Sequence, residues 1–203
     1  MAKQVEQQKR NSVLAKPRGS IFEFYISGTI HSPENYVEVF DTIRHAGDND
    51  IVKLYINTYG GDMFSAIQFM RVLTETDALV IASVEGACMS AGTLLFLSAD
   101  RIEVTPHSMF MFHNYSGGAI GKGNEIYSQI THEKKWSERL MHEAYRGFLT
   151  FEEVEQLLAG KDIWMDSDEV VSRMENLIKL REAELAEPLV EDTATTEQLA
   201  ELD

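Results

Sequence analysis

The chain alternates between stretches that read as strands and stretches with helical periodicity. IFEFYISGTI (21–30) is rich in β-formers. ENYVEVFDTIRHA (34–46) sets Tyr36, Val39, Phe40 and Ile43 on one helical face. IVKLYIN (51–57) predicts a strand that stops at TYGGD. MFSAIQFMRVLTET (63–76) aligns Ala66, Phe69, Met70 and Leu73 as a second helix, and LVIASVEG (79–86) is a third strand. SAGTLLFLSA (90–99) predicts a short buried helix. RIEV (101–104) and SMFMFH (108–113) follow as strands. Strand, helix, strand, helix, strand implies βαβ crossovers and a buried sheet, an α/β fold.

The C-terminal half differs. GNEIYSQITHEKKWSERLMHEAY forms one long helical stretch after a glycine-rich loop, and most of it is polar. A helix this wet suits either projection toward a partner subunit or a plain solvated surface. Thr150 and Glu153 form a capping box, and Gly160 marks the stop of that helix. Asp162 and the short apolar IWM come next. Asp166 and Glu169 repeat the box pattern before DEVVSRMENLIKLREAEL.

Charge divides the chain further. The net charge is −15 over 203 residues. Residues 1–19 hold five basic and one acidic residue, and residues 181–203 hold one basic and eight acidic. This predicts a flexible N-terminal arm (1–19), one domain (20–180) and an acidic, disordered tail (181–203). The acidic body argues against nucleic-acid binding. No apolar run approaches the length of a membrane span, and the polar start has no secretory signal. The single cysteine, Cys88, permits no internal disulfide and points to a reducing, cytoplasmic setting.

VEGACMSAGTLLFLSAD (84–100) carries the candidate chemistry. Ser90 stands among small residues where a strand gives way to a helix. Helix N-terminal N–H groups there would favour an oxyanion, and small neighbours would admit a substrate backbone. The same bareness also suits simple packing of helix on strand. Of the six histidines, His113 ends an apolar strand, the position where α/β sheets place their sites, although a structural role fits it as well. His132 and His142 on the polar helix read as solvated. Asp162 is fixed between a helix stop and a strand, as a turn residue or an orienting carboxylate. Gly60 and Gly61 at a strand end suit a turn or an oxyanion donor. Cys88 reads as a small buried side chain rather than a nucleophile. Metal and nucleotide-binding motifs are absent from the sequence.

Taken in order, LYINTYGGD, EGACMSAGTLL, MFMFHNYSGG and GKDIWMDSDEV resemble the proteolytic subunit of the Clp protease over about residues 20–175. The resemblance places that family's catalytic serine, histidine and aspartate on Ser90, His113 and Asp162. Its oxyanion donors fall on the backbone N–H groups of Gly61 and Ala91. It implies the spiral β/α fold shared with the crotonases, with residues 124–146 as a protruding handle helix. It further implies a serine endopeptidase of unfolded chains, assembled as a homo-oligomer of heptameric rings and fed by an ATP-driven unfoldase, with no metal or cofactor. The chain departs from the family at Thr58-Tyr59, where Ser-Pro is usual, at Ala91, where Met is usual, and at residues 173–177. Other readings of the same residues are a phage-type head-maturation protease, a crotonase-type acyl-CoA enzyme and a non-catalytic scaffold.

Overall fold

A computed structural model of the chain describes residues 19–186, with side chains to residue 180. Nearly all of the expected arm, and the tail beyond Ala186, therefore lie outside the described residues. The sheet begins with β1 (Ile21–Ile30) and β2 (Ile51–Gly61), joined through a short 3-10 turn and α1 (Val37–His45). Then come α2 (Met63–Glu75), β3 (Leu79–Met89), α3 (Ala91–Leu97), β4 (Arg101–Val104) and β5 (Met109–Phe112). The described residues end in α4 (Gly123–Ala144), α5 (Phe151–Leu158), β6 (Ile163–Asp166) and α6 (Ser167–Ala186). The backbone of α6 runs six residues into the stretch expected to be a tail.

The six strands form one sheet in the order β1-β2-β3-β5-β6, with β4 pairing on β3 beside that path. Strand β3 serves two parallel partners in succession. Ile81–Val84 pair with β4, and Ala87–Met89 pair with β5. Strand β6 runs antiparallel to β5, which the βαβ pattern did not predict. The expected α/β spiral is the architecture formed.

Pattern explains which face is covered. In β2, Val52, Leu54, Ile56 and Thr58 are fully buried, while the alternate residues Lys53 and Tyr55 are only half-buried. Period-two alternation of this kind puts one face on the core and the other toward solvent. Helix α3 is apolar apart from Thr93 and every one of its residues is buried, as expected of a helix enclosed by its neighbours. The expectation of a buried sheet is therefore met on one face only. On the other, Tyr25 stacks on Tyr55 at 4.8 Å and the Tyr55 hydroxyl donates to Glu23.

The predicted capping box of α5 is present: Glu153 N–H donates to Thr150 Oγ1 at 3.2 Å, and Thr150 N–H donates to the Glu153 carboxylate at 2.8 Å. The second box is half-built. Asp166 caps the N–H of Glu169, but the Glu169 carboxylate accepts from Arg173 instead. Arg173 also donates twice to Glu153, at 2.7 Å each, which clamps α6 to α5. That guanidinium, with smaller help from the Thr150 N–H, holds the Glu153 carboxyl below the usual carboxylate range. A depressed acid contributes stability above its unfolded pKa and loses it as pH falls through the folded value. Arg173→Met should therefore lower the melting temperature at pH 7, with the difference from the parent shrinking as pH drops below about 4. Equal differences at pH 7 and pH 3 would assign the contribution to packing rather than charge.

Candidate active site

Ser90 is the hinge residue between β3 and α3. Its backbone adopts φ 54° and ψ −126°, one of two positive-φ residues other than glycine among those described. Such a conformation costs a serine on the order of 1–3 kcal/mol and survives only where the surroundings impose it. The turn is held on both sides. Ser90 N–H donates to the Met111 carbonyl at 2.8 Å, tying it to β5. The Ser90 carbonyl accepts from Thr93 N–H at 2.9 Å and from the Thr93 hydroxyl at 2.7 Å.

Two glycines explain how bare the surroundings are. A Cβ on Gly60, whose φ is +100°, would lie 2.5 Å from Ser90 Cβ and 3.0 Å from its Oγ. One on Gly92 would lie 2.5 Å from Thr58 Cγ2. The end of β2 and the start of α3 thus approach closer than any side chain allows. Thr58 fixes that strand end, since its buried hydroxyl donates to the Gly28 carbonyl and accepts from Gly60 N–H at 3.0 Å. Gly60→Ala should destabilise the fold by about 1–3 kcal/mol in urea unfolding, because overpacking and left-handed strain act together. Gly118→Ala, where no atom lies within 4 Å of the added carbon, should leave the midpoint unchanged.

His113 follows β5 directly. Met89 pairs with Met111 across the parallel ladder, so the residues just beyond the two strands arrive side by side. His113 Nε2 lies 2.6 Å from Ser90 Oγ, close enough for the hydroxyl to donate to the ring. Asp162 comes next in the same geometry. Phe112 pairs with Ile163 across the antiparallel ladder, which makes Asp162 the next residue opposite His113. Opposite residues on one face hold their Cβ atoms about 4.5–5.5 Å apart. The Asp162 carboxylate is nevertheless exposed and makes no hydrogen bond to His113. Of the three residues expected to act together, Ser90 and His113 are in contact, and Asp162 lies one residue beyond the last pair of the β5–β6 ladder without a bond to either.

A cleft of about 600 Å3 opens from Ser90. Its walls are residues 61–64 on one side and 115–118 on the other, the two segments that flank the site in sequence. Helix α4 closes it with Gln129, His132, Glu133 and Trp136. The Trp136 ring meets both Phe64 and Tyr115 at 5.9 Å between centroids. The Tyr115 hydroxyl donates to Glu133 at 3.3 Å, and partial burial next to that carboxylate raises the phenol above its ordinary value. His132, which the polar pattern marks only as solvated, is part of this wall. Spacing was the available signal, because Gln129, His132, Glu133 and Trp136 fall three, four and seven residues apart, on one helical face. His142 is also more than solvated: it bonds Glu155 at 3.0 Å and stacks on Phe151. Cys88, in β3 two residues before Ser90, is wholly buried, and burial pushes its thiol far above the ordinary range, so it stays a packed apolar group.

This arrangement is similar to known proteins. The Clp protease family model matches residues 30–173. The chain is 28% identical over 148 residues to ATP-dependent Clp protease proteolytic subunit 2 of Pseudomonas aeruginosa, covering 69% of this chain and 71% of that one. It is 29% identical over 131 residues to proteolytic subunit 3 of Rhizobium etli, covering 61% and 64%. With proteolytic subunit 1 of Salinibacter ruber it shares 23% over 131 residues, covering 63% and 55%. The family match spans the strand end at Gly60 and Gly61, the Ser90 turn, His113 and the Asp162 register in one continuous stretch. The identities are low and the match is long, so the chain is a divergent member of the Clp protease family.

Proposed function

We propose that the protein is a serine endopeptidase that hydrolyses peptide bonds in unfolded or extended polypeptides. The observation that carries this reading is the 2.6 Å contact between His113 Nε2 and Ser90 Oγ at the mouth of the cleft. Ser90 Oγ attacks the scissile carbonyl carbon while its proton passes to His113 Nε2. The carbonyl oxygen becomes an oxyanion, received by the N–H groups of Gly61 and Ala91. As the tetrahedral intermediate collapses, His113 gives the proton to the leaving amine and the C–N bond breaks. Water then attacks the acyl ester with His113 again taking the proton, which releases the acid and restores Ser90. Asp162 orients the imidazole from its place across the ladder and stabilises the imidazolium. An extended substrate runs between residues 61–64 and 115–118, pairing as a strand would.

The ring assembly is part of the same proposal. The relatives are described as proteolytic subunits of an ATP-dependent protease, which supports a multi-subunit assembly linked to ATP; homo-oligomeric, heptameric rings and an ATP-driven unfoldase partner are what the resemblance to that family adds. The exposed Tyr127 and Ile130 on the outer part of α4 suit a helix that meets a second ring. Among the described residues no helix is long and apolar enough to cross a membrane. Cys88, a free thiol, fits a cytoplasmic setting.

The test is the intact mass of the protein after exposure to a fluorophosphonate, with hydrolysis of fluorescently labelled casein measured alongside. One adduct per chain, together with casein turnover, is the expected result. A folded, assembled protein that takes no adduct would turn the reading toward an acyl-CoA enzyme or a scaffold.

A further inference from the structure

Behind Ser90 lie two buried hydroxyl groups that the bond-breaking steps do not use. Thr93, in α3, is fully buried, and Tyr145, which follows α4, is 1% exposed. The Thr93 hydroxyl lies 2.7 Å from the Ser90 carbonyl and 2.9 Å from the Tyr145 hydroxyl. Counting protons gives the chain a direction. A carbonyl only accepts, so Thr93 gives its one proton to Ser90. Tyr145 is then the donor to Thr93. Burial pushes the Tyr145 phenol up to about 12, so it is protonated, and able to donate, at neutral pH.

The far end of this chain is a planar trans peptide. The Ser90 carbonyl and the Ala91 N–H belong to the same group and point in opposite directions. Two donors from Thr93 on the carbonyl therefore also set where the N–H points. They act on the peptide that follows the strained, positive φ of Ser90, with the Thr93 hydroxyl adding a side-chain bond to the backbone one.

We propose that Thr93 and Tyr145 are positioning residues for the oxyanion donor: the series Tyr145 O–H to Thr93 O–H to Ser90 C=O aims the Ala91 N–H into the cleft. The proposal rests on the reading of Ser90 as nucleophile and Ala91 as oxyanion donor. A bond that served folding alone would change stability. A bond that aims the donor changes the transition state and leaves substrate binding as it was.

Thr93→Val keeps the shape and removes the hydroxyl, Thr93→Ser keeps the hydroxyl, and Tyr145→Phe removes one oxygen at the outer end. The probes are labelled casein, for kcat and KM, and the fluorophosphonate, whose P=O oxygen occupies the oxyanion position. For Thr93→Val, kcat and the phosphonylation rate should fall together by roughly tenfold or more, since loss of a whole donor costs about 10²–10³. KM should stay within about twofold. Thr93→Ser should recover to within about threefold of the parent, and Tyr145→Phe should fall between. A folded Thr93→Val with parental rates overturns the proposal, as does a Thr93→Ser as slow as the valine variant. If Thr93→Val does not fold, Tyr145→Phe decides the matter, and unchanged rates there overturn it equally. A parent protein that takes no phosphonate removes the peptidase reading and this proposal together. A reactive parent with unaffected variants removes only this one.

Discussion

Ser90→Ala should reduce casein hydrolysis to the buffer background, a loss of about 10⁴–10⁶-fold, with no fall in melting temperature. The size follows from the role proposed for Ser90 as nucleophile. Without Oγ no covalent acyl intermediate forms, and the cleft and oxyanion donors alone act on the substrate. The unchanged stability follows from the surroundings. Ser90 Oγ bonds His113, which is partly open to water, and the bonds that hold the turn are all made by the Ser90 backbone. Alanine inherits the same positive φ and the same strain. Glycine does not, so Ser90→Gly should be as inactive as the alanine variant and more stable by about 1 kcal/mol. An inactive variant of raised stability would mean that the nucleophile is held in a conformation the fold resists. Hydrolysis that survived in Ser90→Ala would place the nucleophile on another residue.

Much of this site is legible in the chain because each piece has a local physical signature. Strands β1 and β4 match their sequence boundaries, and α3 is buried as its apolar run implies. What local pattern missed is set by tertiary contacts. Strand β2 continues through Thr58, Tyr59 and both glycines, and β3 continues past the expected end at Gly86 through Ala87, Cys88 and Met89. Glycine has low strand propensity, and these extensions exist because β1, β3 and β5 supply partners for them. The direction of β6 depends on where α5 delivers the chain, which no periodicity records. The cleft wall on α4 was hidden for a different reason. A residue facing a water-filled cleft has the polarity of one facing bulk solvent, so His132 and Glu133 look alike in either place. The Ser90–His113 pair is visible only in the order of the motifs, since 23 residues separate them.

Asp162→Asn should lower kcat by about 10²–10⁴-fold, with KM and melting temperature close to the parent's. The ladder closes on Phe112 opposite Ile163, so His113 and Asp162 each stand one residue beyond that last pair, at the same end of the two strands. The carboxylate is exposed and bonds no ring nitrogen, so replacing it takes nothing from the folded protein's stability. In the proposed mechanism the carboxylate turns to the ring when substrate is bound, and the substitution then removes the charge that favours imidazolium as the Ser90 proton transfers, together with the acceptor that selects the Nδ1–H tautomer. The loss should therefore appear in kcat and in the phosphonylation rate rather than in binding. His113→Ala combined with Asp162→Asn should be no slower than His113→Ala alone, because an orienter acts only through the base. A parental kcat in Asp162→Asn would leave Ser90 and His113 working as a pair and would return Asp162 to the turn between α5 and β6. If the double variant were slower than His113→Ala, Asp162 would be acting on the substrate directly.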